Sequence, residues 1–251
     1  MLACLQPTVV FLITVLLAVT PARAFETPLS DEAIREAYFL GQRGADSLPG
    51  FLAKYTKTLP PPEAGPHISS VTVLTPFALL AQLSSQHSSG YSAQQARLDH
   101  LDKPEIVRIV VQIQFTDSFG AMIPAPAGSR SGSSSGFVPR PYDFWKDFEV
   151  RVFSTAPREE NPPPPSDSAQ DASQEQQDQA KPPPQIEPLR PETSHGEPNV
   201  SCAANGGCQL IGATLYFDFI ASAFDPSSAV IEVAPPEGET LSVEFDLSAL
   251  R

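Results

Sequence analysis

Residues 106–116, IVRIVVQIQFT, decide the fold. Val107, Ile109, Val111, Ile113 and Phe115 fall on one side, and Arg108, Gln112, Gln114 and Thr116 fall on the other. A period of two belongs to a strand, whose successive side chains point to opposite faces. One apolar and one polar face is the pattern of an antiparallel sheet with water on one side. A parallel sheet covered on both faces would read as an unbroken apolar run.

Three later segments repeat the pattern. Phe148, Val150 and Val152 alternate with Glu149 and Arg151. Leu215, Phe217 and Phe219 have Asp218 opposed, and Leu241, Val243, Phe245 and Leu247 alternate with Ser242, Glu244, Asp246 and Ser248. A shorter strand over 229–233 precedes the turn Pro235-Pro236-Glu237-Gly238-Glu239, so the chain is expected to end in a hairpin. The expected architecture is mainly β: an antiparallel β-sandwich, Ig-like or similar, with a few short N-terminal helices packed on it. A single sheet covered by those helices is the alternative.

Upstream of residue 105 the spacing is helical. Ser30 is placed to cap a helix, with Asp31 and Glu32 in its first turn, where carboxylates oppose the helix dipole. Ile34, Ala37, Tyr38 and Gly41 recur on one face, and Gly41 or Gly44 is expected to end the helix. A second short helix is predicted over 51–57 and a first strand over 68–74, ended by Thr75-Pro76. That dipeptide also suits a helix start, predicting a helix over 77–83. Another is expected from Ser92 to Leu101, stopped by Lys103-Pro104.

Two stretches interrupt the sheet region. Residues 123–141 are Pro, Gly and Ser with little that is apolar, and read as a loop. Residues 156–201 contain PPPP and PPP runs around SDSAQDASQEQQDQ. Such a composition buries too little apolar surface to offset its ordering entropy, so disorder is expected there. Strands on both sides make it an insertion within one domain, whose closure costs little even when long. The resulting division is a signal peptide at 1–24, a helix-rich part at 25–104, sandwich halves at 105–155 and 202–251, and the Pro-rich acidic insertion at 156–201 between them.

The N-terminal segment carries VVFLITVLLAV at 9–19, then Thr20-Pro21 and Ala22-Arg23-Ala24. An apolar run, a helix breaker and a small-x-small triplet make a secretory signal, with cleavage expected after Ala24. As a helix the run would reach about 17 Å, short of a hydrocarbon core of about 30 Å. The protein is therefore expected to be secreted or periplasmic, without stable membrane insertion after cleavage. Cys4 leaves with the signal, and Cys202 and Cys208 in CAANGGC remain. An even pair in an oxidising compartment, with five residues between them of which two are Gly, reads as a disulfide.

Net charge narrows the function. The chain holds 29 acidic against 16 basic residues, a formal charge of -13. Phosphate neutralisation needs clustered Lys and Arg, so nucleic acid is excluded as a partner, and anionic lipid is disfavoured equally. Gly132-Ser133-Ser134-Ser135-Gly136 spells G-x-S-x-G, but that chemistry needs a strained strand-to-helix turn and this is a Ser/Gly loop. His67, His87, His100 and His195 make no metal-ligand spacing, and Asp99-His100-Leu101-Asp102 reads as a solvated helix end. Glu244 and Asp246 share one strand face, a carboxylate pairing that glycosidases use but that also keeps an exposed strand soluble. Asp225 with Glu237 and Glu239 would suit Ca²⁺ only if folding brought them together. No cofactor is called for.

The single Trp, Trp145, lies in Tyr142-Asp143-Phe144-Trp145-Lys146-Asp147-Phe148. Strand alternation would put Phe144 and Phe148 toward the core and Trp145 with Asp143 and Asp147 on the other face. Trp145, Tyr142, Asp143 and Asp147 are thus the candidate binding face, for a glycan or a protein. The expected function is an exported, non-enzymatic binding or envelope-associated module. A secreted hydrolase using carboxylates is one alternative. An assembly protein that recruits a partner through its Pro-rich arm is the other. Asn199-Val200-Ser201 is a glycosylation sequon.

Overall fold

The computed structural model describes residues 25–43, 47–87, 90–101, 103–125, 136–155, 185–186, 194–204, 206–224 and 228–251. The signal segment, residues 126–135, Asp225 and most of the Pro-rich insertion lie outside these, so the expectations placed on them are not addressed.

Helix α1 (Asp31–Gln42) starts where Ser30 predicts, its Oγ accepting from the Ala33 N–H at 3.2 Å. Gly41 lies inside the helix and does not end it. Its role is close approach to helix α3: a Cβ there would stand 2.2 Å from the Ala81 carbonyl oxygen. Helix α2 (Ser47–Leu52) runs into a 3-10 turn at Ala53–Tyr55, so the helix expected over 51–57 is displaced toward the N-terminus. Helix α3 (Pro76–Gln86) is capped by Thr75, whose Oγ1 accepts from the Ala78 N–H with Pro76 in the first turn. Helix α4 covers Ala93–Leu101. These helices bury a small core of their own, drawn from Ile34, Ala37, Leu48, Phe77, Leu80 and Ala96.

The strands, in chain order, are β1 (Thr56–Thr58), β2 (His67–Leu74), β3 (Ile106–Gln114), β4 (Met122–Pro124), β5 (Phe137–Pro139), β6 (Glu149–Thr155), β7 (Gln185–Ile186), β8 (Ser194–Cys202), β9 (Cys208–Ile220), β10 (Ser228–Ala234) and β11 (Leu241–Asp246). All paired strands are antiparallel, as the alternation predicts. One sheet runs β1-β2-β3-β9-β8 and a second runs β11-β10-β6-β7. The molecule is mainly β with a few helices.

The apolar face of IVRIVVQIQ is buried as read: Val107, Ile109, Val111 and Ile113 have no exposed surface. They share one core with Leu215 of β9 and with Val152, Ile231 and Phe245 of the second sheet. Full burial of each such side chain is worth roughly 1.5–3 kcal/mol before entropy is counted. Phe51 and Leu52 pack against both this core and the helical one, joining the two layers.

Two expectations are corrected here. The stretch at 123–141, expected as loop, holds β5 and most of β4, which pair as a two-stranded ribbon. Residues 194–201, assigned to the disordered insertion, form β8 and pair along β9. At the far end of that hairpin, Cys202 and Cys208 stand opposite each other and are joined by the expected disulfide.

Candidate functional site

The face of the five-stranded sheet turned away from the shared core is a grid whose rows follow from strand register. One row reads Leu74, Arg108, Asp218; the next reads Thr56, Thr72, Val110, Tyr216, His195; the third reads Ser70, Gln112, Thr214, Glu197. Helix α3 leaves β2 through the Thr75-Pro76 turn and covers only part of this grid. Between α3, α4, the 103–105 connector and the sheet lies a cleft of about 790 Å³. Its walls mix apolar side chains, Leu79, Leu83 and Ile106, with polar ones from α3, α4 and the connector, Gln82, Gln86, Asp99 and Lys103 among them. Its floor is polar around Val110, with Thr72, Gln112, Thr214, Tyr216, His195 and Glu197.

The half-buried cation of the cleft is paired. Arg108 donates to Asp218 twice, from Nε to Oδ1 at 2.6 Å and from Nη2 to Oδ2 at 2.8 Å. This is the fork geometry that suits guanidinium and carboxylate. That hydrogen bonding holds the Arg108 pKa above its ordinary value, against the opposing effect of burial. Asp218, on the polar side of its strand as the alternation implies, is 8% exposed because Arg108 lies over it.

Next in the grid, the His195 ring stacks on Tyr216 with centroids 4.6 Å apart and planes 14° from parallel. Burial first, and then the charge of Glu197, raise the Tyr216 pKa, so its phenol stays neutral.

At the α4 end, one carboxylate ties three segments together. Glu105 Oε1 accepts from the Leu29 N–H at 2.6 Å and from His100 Nε2 at 2.8 Å, while Oε2 accepts from Thr27 Oγ1 at 2.6 Å. With a carboxylate as acceptor, His100 Nε2 must carry the hydrogen. The Asp99-His100 stretch is therefore no solvated helix end at His100, whose side chain is 16% exposed. Asp99 accepts from Gln95 Nε2 at 2.7 Å, and Asp102 lies outside the described residues. The Tyr91 hydroxyl is pushed up to about 12, by burial first and by the Asp99 charge second.

The residues singled out from sequence lie elsewhere. Phe144–Asp147 is a 3-10 turn and not a strand, so alternation does not hold across it. Phe144 and Phe148 are buried as expected, but Trp145 also packs against the shared core. Its indole covers Gly196 of β8, which pairs with core residue Leu215 on the side of the sheet opposite the cleft. Tyr142 is 63% exposed, Asp147 is exposed, and Asp143 accepts from Lys146 Nζ at 3.0 Å. Trp145 is half-buried against the shared core, while Tyr142, Asp143 and Asp147 are exposed.

Glu244 and Asp246 are exposed on β11, where Asp246 accepts from the Ser248 N–H and hydroxyl, and neither lines the cleft. Among the described residues no group of three or more His, Cys, Asp or Glu is placed to hold a metal ion. His67 Nε2 bonds the Leu59 carbonyl at 3.0 Å, and His87 stacks on Tyr91 at 4.1 Å.

Sequence reasoning missed the cleft residues because each looks like an ordinary solvent-facing strand position. Arg108 and Asp218 are opposite charges on the polar sides of two recognised strands, and that signal was available. Their pairing needed the β3-β9 register. No protein-family model, curated protein or solved structure matches the chain.

Proposed function

We propose that the chain is an exported, non-enzymatic β-sandwich module that holds its ligand in the cleft between α3, α4 and the outer face of the five-stranded sheet. The sandwich reading draws on the single core shared by the two sheets. Export draws on the apolar run and small-x-small triplet of residues 9–24 and on the Cys202–Cys208 disulfide.

The observation that carries the binding reading is the cleft itself. The apolar α3 side chains Leu79 and Leu83 stand over a polar sheet floor, and the volume falls in the roughly 300–1,000 Å³ range of small-molecule sites. Leu83 is 38% exposed at its edge, apolar surface that water alone leaves unsatisfied.

The test uses the chain from Phe25 onward and the dye 8-anilinonaphthalene-1-sulfonate. Saturable enhancement at one site is expected while the protein unfolds cooperatively, and Leu83→Arg should remove it. Enhancement that is absent, or that survives in Leu83→Arg, overturns the cleft as a binding site. Export is checked by N-terminal sequencing of the extracytoplasmic protein, which should begin at Phe25.

A further inference from the structure

We infer, on the basis of the cleft reading above, that the ligand is a neutral oligosaccharide laid across the sheet face, over the His195–Tyr216 stack and beside Gln112, Thr214 and Glu197. Three observations point to this class of ligand.

The first is what a sheet face can offer. The N–H and C=O groups of β3 and β9 are taken up in ladders on both sides, so hydrogen bonds to a ligand come from side chains alone. Peptides are held mainly by free backbone at a strand edge or as a helix in an apolar groove. A surface of Thr, Gln, Glu, His and Tyr side chains instead suits a ligand that is itself dense in hydroxyl groups, each a donor and an acceptor.

Charge balance is the second. Arg108 is neutralised by Asp218, and Glu105 is bonded by His100, Thr27 and Leu29. Glu197 lies against the neutral Tyr216 phenol. An anionic ligand would meet the Glu197, Asp99 and Glu105 carboxylates in the lining, and a cationic one would meet Arg108 and Lys103. A neutral ligand is repelled by neither set, and its hydroxyls can donate to the Glu197 carboxylate.

The third is the pairing of flat and apolar surfaces. A pyranose has C–H faces that pack on rings and alkyl groups and an equatorial rim of hydroxyls. The stacked His195 and Tyr216 rings supply the aromatic groups of the floor, and Leu79 and Leu83 supply apolar side chains to the lining. The row from Thr56 to His195 crosses five strands, about 19 Å at ~4.8 Å per strand, which makes room for several linked rings.

The experiment is isothermal titration calorimetry of the chain from Phe25 with maltohexaose, cellohexaose and chitohexaose. Saturable binding of at least one is expected. His195→Ala and Gln112→Ala should each weaken it tenfold or more, and Glu244→Ala, on the far sheet, should leave it unchanged. His195 and Gln112 are exposed side chains, so both variants keep the fold, which cooperative melting verifies. Tighter binding of a tri-galacturonate or of a hexapeptide than of any neutral hexasaccharide overturns the assignment, as does the absence of saturable heat with all three. If the dye titration at Leu83 persists in that case, the cleft stands and only the saccharide assignment falls. If a hexasaccharide binds and ignores His195→Ala and Gln112→Ala, both fall.

Discussion

The Tyr55 hydroxyl bonds both backbone groups of Arg251, 196 residues away in sequence: it donates to the carbonyl at 3.0 Å and accepts from the N–H at 3.1 Å. Thr75 Oγ1, the cap of α3, donates to the same carbonyl, and the Arg251 guanidinium lies 4.6 Å from the Phe77 ring centroid and bonds Glu36. The segment that follows β11 is thereby fastened to the junction of β2 and α3, beside the cleft. Tyr55 has no exposed surface, and burial, ahead of its hydrogen bonds, raises its pKa.

Tyr55→Phe keeps the ring that packs on Phe51 and removes only the hydroxyl. The expected cost is about 1–2 kcal/mol, since the Arg251 N–H loses its acceptor in a partly buried setting while the carbonyl keeps only Thr75. Urea unfolding measures it, with the midpoint falling and the slope unchanged. An unchanged midpoint would mean that water replaces the phenol without loss.

Gly196 and Trp145 make the second case. A Cβ on Gly196 would stand 2.2 Å from the indole, against the body of the ring and not a mobile tip. Gly196→Ala must therefore push Trp145 outward or bend β8. Overpacking of this kind costs typically 1–3 kcal/mol. Because Trp145 is the one tryptophan of the chain, its emission reports the displacement directly. A red shift with greater acrylamide quenching is expected, and an unaltered spectrum would rule out the contact.

The same pair explains what could be read in the sequence and what could not. Strands β3, β6, β9, β10 and β11 each carry their own apolar residues, so period-two alternation exposed them. Strand β8, SHGEPNVSC, faces the core with Ser194, Gly196 and Pro198, because Trp145 from another segment fills the space over Gly196. No apolar alternation remained to find, and Gly and Pro made it look like part of the insertion. Gly41 misled in a similar way. The sequence offers Gly41 or Gly44 as the helix stop, yet α1 runs past Gly41, which stands where the Ala81 carbonyl leaves no room for a side chain. The polar side of β3 was legible as polar. That it forms the floor of a cleft depends on the direction in which α3 leaves β2, which no local pattern encodes.

Arg108 and Asp218 predict an asymmetry between single and double substitution. The side chains are 30% and 11% exposed, so each ion has lost part of its hydration and relies on the other. Asp218→Ala leaves the guanidinium uncompensated. The loss should be about 2 kcal/mol, below the ~3–5 kcal/mol of a fully buried pair because Arg108 still reaches water. Arg108→Met with Asp218→Leu removes both charges and fills the volume, and should come within about 1 kcal/mol of the parent. Chemical denaturation of the two single variants and the double gives the coupling directly. Additive losses would show that the pair contributes no interaction energy.

Tyr91 supplies a dependence on pH whose sign is fixed. Its folded-state pKa, at about 12, lies above the ordinary value of about 10, so the folded protein favours the neutral phenol more than the unfolded chain does. The corresponding stability is complete below about pH 10 and is lost as pH rises from there through 12. Burial is the larger cause and the Asp99 charge the second, which allows the two to be separated. In an alkaline titration followed by phenolate absorbance, Tyr91→Phe should remove one of the five tyrosines from the late-ionising phase. Asp99→Asn should move Tyr91 downward only in part, because it removes the second cause and leaves burial in place. If Tyr91→Phe instead removes absorbance from the early phase, the hydroxyl is solvated, and the wall of the cleft at the α4 end is more open than the structure places it.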